Sequence, residues 1–331
     1  MKVLVTGGGG FLGGVIVRML RERGEQVRSF SRGAYTVLAG MGVEQIRGDL
    51  VDREAVCKAA KGCDIIFHVA AKAGIWGAYD EFHRANVTGT ENVLAACRSN
   101  GIRRMVYTSS PSVVFDGRDV EGGDESLPYP EDYEAYYPAT KALAEQLVLT
   151  ANSTELATVA LRPHLIWGPG DNHLVPRILA KGRAGKLRRI GNRPCPVDTV
   201  YVDNAARAHL LAADRLKIGS NVSGKAYFIS NGEPLPLWEM INRILAAADI
   251  APVSRSISPS LAFTAGVICE GLWRSLRLSG EPPMTRFVAR ELASAHWFSI
   301  AAARADFGYE PEITIDEGLV RLRNWLACAV T

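Results

Sequence analysis

The chain of 331 residues has no apolar run approaching the roughly 20 residues that a bilayer requires, so no helical membrane span is expected. Its six cysteines, Cys57, Cys63, Cys97, Cys195, Cys269 and Cys328, form no C-x-x-C pair and no metal-ligand spacing. Neither a metal centre nor a disulfide framework is therefore expected. Charge of one sign is also scarce: 38 Lys and Arg against 35 Asp and Glu leave a net charge of +3, too little to argue for nucleic acid as a partner. There is no internal repeat and no low-complexity tract. The first strand begins at residue 2, which leaves no place for a secretory leader, and the expectation is a cytoplasmic protein with reduced thiols. What is present, 47% apolar and 22% charged residues, is the composition of a globular enzyme with a large core, in one big domain or two modest ones.

The most informative stretch is Lys2 to Gly13, KVLVTGGGGFLG. Val3, Leu4 and Val5 form a short strand, and Phe11, Leu12, Val15, Ile16, Met19 and Leu20 repeat at helical spacing. Between them Gly7, Gly10 and Gly13 give T-G-x-x-G-x-x-G, the strand–turn–helix context of a dinucleotide fingerprint. Gly7 suits a tight turn, Gly10 a close approach of a pyrophosphate, and Gly13 close packing of helix on strand. The helix N-terminus at Phe11 and Leu12 offers free N–H donors and partial positive charge.

A second strand, Gln26 to Phe30, ends at Ser31 and Arg32 with no acidic residue to receive a ribose 2′-hydroxyl. An arginine there can hold a 2′-phosphate, so NADP(H) is the expected cofactor. A third strand, Val43 to Ile46, leads to Asp49 and Leu50; Asp49 either meets the adenine amino group or caps a helix beginning near Asp52. The fourth strand, Asp64 to His68, leads to Ala70, Ala71 and Lys72, where small side chains let the backbone pass close to a cofactor. A helix is expected over Asn86 to Cys97, a fifth strand over Arg104 to Thr108, ending at Ser109 and Ser110, and a sixth over Ala157 to Arg162. This alternation predicts an α/β fold, a doubly wound parallel sheet of the Rossmann kind. Residues 1–165 would form the NADP-binding domain, with a helix near 203–216 returning to it behind Asp203 as N-cap, and residues 166–331 would be a smaller, mainly substrate-binding portion.

Tyr137 and Lys141 stand four apart in YPATKALAEQLV, which places both on one helix face. A nearby ammonium favours the phenolate, and bringing a tyrosine toward neutrality needs roughly 4 kcal/mol of differential stabilisation. So tuned, Tyr137 would donate a proton to a carbonyl oxygen as hydride reaches carbon, with Ser110 bonded to the same oxygen.

The segments TGGGGFLGG, ANVTGTENVLAAC, YTSSPSVVF, YPATK, LRPHLIWGPGD and YVDNAARAH resemble those of an extended short-chain dehydrogenase/reductase, in its 3β-hydroxysteroid dehydrogenase-like branch. Within that branch AAKAGIWGAYDEFHRANVTGT, LRPHLIWGPGDNHLVPRI and AYFISNGEPLP are similar to bacterial reductases of long-chain 2-alkyl-3-oxoalkanoates (β-keto acids) in olefin biosynthesis. The resemblance implies a catalytic set of Ser110, Tyr137 and Lys141, with Ser109 adjacent, and a nicotinamide end near Thr108, Pro163 and His164. His164 either lines the cofactor or serves structure. An apolar substrate with a β-keto acid group is implied, with Trp76, Tyr79, Trp167 and Asn172 as candidate lining residues. Other activities on the same residues are a 3β-hydroxysteroid or sterol-4-carboxylate 3-dehydrogenase, a nucleotide-sugar epimerase or reductase, or a silent NADP-binding regulator. A homo-oligomer and an assembly with pathway enzymes are further expectations.

Two stretches keep several readings. The basic residues between Lys181 and Arg193 form either a solvated surface or a dock for an acidic head group or thioester carrier. Ile257 to Leu278 is an ordinary core helix, a lid over a greasy substrate, a partner surface, or a peripheral membrane contact.

Overall fold

The computed structural model describes residues 1–329; the last two residues of the 166–331 portion lie outside it. Up to residue 163 strands and helices alternate: β1 (Lys2–Thr6), α1 (Phe11–Glu22), β2 (Gln26–Ser31), α2 (Thr36–Gly40), β3 (Glu44–Arg47), α3 (Arg53–Ala60), β4 (Ile65–His68), α4 (Tyr79–Phe82), α5 (Gly89–Asn100), β5 (Arg104–Thr108), β6 (Val120–Gly123), α6 (Tyr136–Thr150) and β7 (Ala157–Pro163). Shorter pieces follow: β8 (Ile166–Trp167), α7 (Leu174–Arg183), β9 (Arg189–Ile190), β10 (Pro196–Val197), β11 (Val200–Tyr201), α8 (Val202–Arg215), β12 (Lys225–Ile229), β13 (Leu235–Pro236), α9 (Leu237–Ala247) and β14 (Ser256–Ile257). The chain closes with α10 (Pro259–Ser275), α11 (Arg286–Glu291), β15 (His296–Phe298), α12 (Ala301–Phe307) and α13 (Ile315–Ala329).

Seven parallel strands make the main sheet in the order β3-β2-β1-β4-β5-β7-β12. The order reverses between β1 and β4, and a crevice forms there at the strands' carboxyl ends. Period-two alternation sends Val3 and Val5 to one face, against Ile16, Val17 and Ala208 of α1 and α8. Leu4 goes to the other, with Val56, Val93, Cys97, Ala144 and Val148 of α3, α5 and α6. Both faces are covered, which is why these strands read as continuous apolar runs.

Four local expectations change. The sheet has a seventh strand, β12, drawn from beyond residue 166 and paired with β7 from Lys225↔Val159 to Ile229↔Pro163. The helix expected from Asn86 begins at Tyr79 and passes through a π-helical turn, His83–Thr88, before α5. That turn hides the start because it breaks the 3.6-residue period of apolar positions. Asp203 lies inside the first turn of α8 instead of capping it, and pairs with Arg18 and Arg321. The helix α10, capped by Ser258, buries only Ala262, Gly266 and Glu270, while Leu261, Val267, Ile268, Leu272 and Leu276 stay exposed. The core-helix reading therefore fails: Ala262, Gly266 and Glu270 make the buried contact, Phe263 is partly covered, and five large apolar side chains face outward. Among the described residues no helix is long and apolar enough to cross a membrane.

One buried ion pair joins the sheet to the helix that carries Tyr137 and Lys141. Arg162 of β7 donates from Nε (3.2 and 3.0 Å) and from a terminal nitrogen (2.6 Å) to the two carboxylate oxygens of Glu145 on α6. Tyr129 donates to the same carboxylate at 2.6 Å, and the guanidinium lies over the Phe228 ring. Removing one member of such a pair leaves an uncompensated buried charge, at a cost of about 3–5 kcal/mol. Glu145→Ala should lower stability by that amount in urea unfolding; a loss below about 1 kcal/mol, typical of an exposed pair, would contradict it.

Candidate active site

The cleft at the carboxyl ends of the sheet encloses about 970 Å³ and runs from the glycine turn after β1 to Tyr137 on α6. Its floor is built by close approach. Gly7 has φ +71°, and a Cβ there would come within 2.9 Å of the Ala70 backbone. A Cβ on Gly13 would sit 2.2 Å from the Gly7 carbonyl oxygen, so only glycine lets α1 seat this near β1. Gly10 precedes α1 with extended geometry, and no side chain caps the helix. Its end is left open to an anion.

Most of the expected residues meet here. Gly7, Gly10, Phe11, Leu12, Gly13, Ser31, Arg32, Asp49, Leu50, Ala70, Ala71, Lys72, Thr108, Ser110, Tyr137, Lys141, Pro163 and Asn172 all line this cleft. The two roles left open for Asp49 separate, since Asp52 is the N-cap of α3, accepting from Ala55 N at 3.0 Å. Asp49 instead accepts from Val51 N at 3.1 Å and faces the cleft.

Four expected residues do not reach it. Trp167 is fully buried, its indole N–H donating to Thr199 at 3.0 Å and its ring packed edge-on to Tyr201. The His164 ring turns into the fold, with Nδ1 2.6 Å from Asp198 and Nε2 3.2 Å from Nδ1 of His296. Trp76 packs under the Arg274 guanidinium, and Tyr79 lies edge-on to Tyr136. In each case a tertiary neighbour claims the ring, which sequence position does not reveal. The basic stretch does not form one patch either: Arg193 grips Asp119, while Arg188 bonds the carbonyls of Gly185 and Leu187.

Sequence reasoning missed Tyr35, Leu165, Asp171 and His173, which also line the cleft. It also missed Asn86. This buried amide accepts from Lys72 N at 2.7 Å and donates to Lys72 O and to Thr140 at 3.1 Å, clamping the loop after β4 to α6. A polar residue inside the ANVTGT segment was the available signal.

At the far end Ser110 caps a short helical turn by accepting from Ser112 N at 3.2 Å, its hydroxyl lies 2.9 Å from that of Ser112, and it works to lower the pKa of the Tyr137 phenol. The neighbouring Ser109 hydroxyl is sealed in without a partner, which separates the two serines. Lys141 is almost wholly buried; its ammonium donates to the Thr108 carbonyl at 2.5 Å and lies 4.1 Å from the centre of the Tyr107 ring. Burial pulls its pKa down to about 7, partly offset by Glu145. Burial pushes the Tyr137 phenol up to about 12, Ser110 works against this, and Glu291 adds to the rise. The expected lowering of Tyr137 by Lys141 is therefore absent from the protein alone. In a dry site the loss of hydration outweighs one ammonium, which is itself engaged with a carbonyl. His68, tied to Thr6 at 2.7 Å and Thr90 at 3.0 Å, is driven to about 3 by burial and stays neutral.

Residues 4–258 match the 3-beta hydroxysteroid dehydrogenase/isomerase family. The chain is 57% identical over 325 residues to a 2-alkyl-3-oxoalkanoate reductase of Stenotrophomonas maltophilia, covering 98% of each. It is 49% identical to the enzyme of the same description from Shewanella oneidensis, over 96% of this chain and 84% of that one. Among solved structures, that of gox2253 superposes with a TM-score of 0.80 at 28% identity, over 99% of this chain and 98% of that one.

Gly13→Val would force the start of α1 away from β1, because its side chain begins 2.2 Å from the Gly7 carbonyl. Titration with reduced nicotinamide dinucleotide, followed by fluorescence, should show at least about a tenfold loss of affinity, or 1.4 kcal/mol. Unchanged affinity would remove the glycine turn from the binding site.

Proposed function

Because the chain belongs to the 3-beta hydroxysteroid dehydrogenase/isomerase family, we propose that its cleft binds NADP(H) and reduces a long-chain 2-alkyl-3-oxoalkanoate to the 2-alkyl-3-hydroxyalkanoate. The observation that carries this reading is the 57% identity, over nearly the whole of both chains, to a 2-alkyl-3-oxoalkanoate reductase. The enzyme is an oxidoreductase of the extended short-chain dehydrogenase/reductase type.

The residues present fit a nicotinamide dinucleotide: a glycine cradle that a Cβ would fill, an uncapped helix end, and small residues at Ala70 and Ala71. When bound, the cofactor supplies the hydride that reduces the 3-oxo carbon. Tyr137 gives its proton to the oxygen of that carbonyl, and Ser110 orients the same oxygen by a hydrogen bond. A phenol pushed up to about 12 is fully protonated at neutral pH, the state that a proton donor in reduction requires. Lys141 is held at the Thr108 carbonyl between Tyr137 and the sheet, where its charge opposes the cost of the phenolate left behind. In the reverse direction the phenolate must form first, so oxidation depends more steeply on the ammonium.

Arg32, which lines the cleft and belongs to no described ion pair, would hold the adenosine 2′-phosphate, with Ser31 beside it. Arg32→Ala should then weaken NADPH at least about tenfold more than NADH in direct binding; equal weakening would remove the NADP(H) assignment. Tyr137→Phe should lower turnover of a 2-alkyl-3-oxoalkanoate by about 10²–10⁴-fold in an NADPH-oxidation assay with little change in NADPH affinity. Undiminished turnover would refute the proton-donor role. Turnover of a 3β-hydroxysteroid without turnover of the keto acid would replace the substrate.

A further inference from the structure

The helix α10 is fastened to the fold by small side chains and presents its large ones to solvent. Ala262, Gly266 and Glu270 form its buried stripe, and a Cβ on Gly266 would lie 2.7 Å from the Arg286 nitrogen. Leu261, Ile268 and Leu272, spaced seven and four apart, fall on the opposite side of the helix. With Val267 beside them and Leu276 and Leu278 at the helix exit, six large apolar side chains are each 42–64% exposed. Single exposed apolar residues are ordinary, but a group of this size on one element marks a contact surface.

The charges around this face have one sign. From Ile250 to Gly280 the sole acid is Glu270, which is buried and bonded to Arg286, while Arg255, Arg274 and Arg277 are exposed. The fold adds to them. β14 pairs in parallel with β9, so Arg189 and Ile190 lie beside Ser256 and Ile257 just ahead of α10. The Arg189 nitrogen donates to the Arg255 carbonyl at 2.9 Å, which brings part of the basic stretch to the start of the apolar one. The Arg188 and Arg189 side chains donate to backbone carbonyls, and Arg255 and Arg277 pair with no carboxylate among the described residues.

At its other end α10 reaches the wall of the cleft. The Arg274 guanidinium lies 5.5 Å over the Trp76 ring, in the loop whose Lys72, Ala73 and Asp80 line the cleft. The connection to α11 touches the same loop, where a Cβ on Gly74 would be 3.4 Å from a Glu281 carboxylate oxygen.

We propose that α10 is a peripheral membrane contact, its apolar face entering an anionic lipid surface while the arginines at both ends meet the headgroups. An apolar stripe framed by unpaired cations, with no exposed acid along it, is complementary to acyl chains lying beneath a negatively charged layer. The helix has 17 residues and carries Glu270 at its middle, so it lies along the surface and does not span. The cleft and this face share a loop, an arrangement fitted to a long-chain substrate held in the bilayer. The contact goes beyond the substrate reading and does not depend on it.

The test is co-sedimentation of the full-length protein with sucrose-loaded vesicles, with neither substrate nor cofactor present. Phosphatidylcholine vesicles carrying about 30% phosphatidylglycerol should bind at least about tenfold more protein than phosphatidylcholine alone. Raising NaCl from about 0.05 M to about 0.5 M should weaken that binding by a similar factor, because headgroup attraction is screened. Joint replacement Ile268→Ser and Leu272→Ser should lower the partition coefficient at least about tenfold with an unchanged circular dichroism spectrum, since both side chains are exposed. Joint replacement Arg274→Gln and Arg277→Gln should reduce the preference for phosphatidylglycerol. A wild type left in the supernatant, equal binding to both vesicles, or a serine variant that sediments like the wild type would overturn the proposal. So would light scattering, without lipid, that shows an assembly dissolved by the two serines, because a second copy then covers the face. If the serine variant does not fold, the lipid and salt dependence of the wild type decides. Failure of the keto acid reading shows in turnover and leaves vesicle binding untouched, so the two fail separately.

Discussion

The bidentate contact between Arg162 and Glu145 is the interaction on which the catalytic half of the molecule depends. It crosses from β7, second from one edge of the sheet, to the helix that carries Tyr137 and Lys141, with both partners essentially free of solvent. Their charges cannot be hydrated, so each needs the other in place, and α6 is held in one register against β7. The same carboxylate lies one helical turn from Lys141 and partly restores the charge that burial removes from it. Structural and catalytic electrostatics are thus served by one pair.

Burial dominates the protonation states around the cleft. It drives Lys141 down to about 7, Tyr137 up to about 12 and His68 down to about 3. The protein alone therefore presents a protonated phenol and a half-charged lysine, an arrangement suited to giving a proton away. Asn86, Thr6 and Ser110 hold the surrounding loops by accepting from backbone N–H groups, so the neutral groups hold geometry and the ionisable ones set chemistry.

The later half of the chain both rejoins the main sheet and builds most of a second, four-stranded sheet, β13-β10-β15-β6. It returns α8 and β12 to the main sheet and sends β15 to pair with β6 beside the cleft. The elements α10 and α11 then pack on each other, Gly266 lying against Thr285 and Arg286 at a distance that admits no side chain. That close contact through small residues explains why the large apolar residues of α10 point outward.

The glycine spacing, the alternation of strands with helices and the Tyr137–Lys141 pair were legible in the sequence, because each rests on contacts within a few residues or on a strict period. The fold class, the glycine turn and the proposed catalytic set follow from those local rules. The seventh strand was not legible, since Lys225 to Ile229 is assigned to the sheet by a partner more than sixty residues away. Nor were the fates of Trp167 and His164, which Thr199, Tyr201, Asp198 and His296 decide across the fold. The direction of the Tyr137 shift also belonged to the tertiary structure, because spacing places an ammonium near a phenol but does not say how much water is left around them. Sequence by itself named the groups proposed to carry the chemistry. Burial and distant partners, which exist only once the chain has folded, decided their protonation and which neighbours they face.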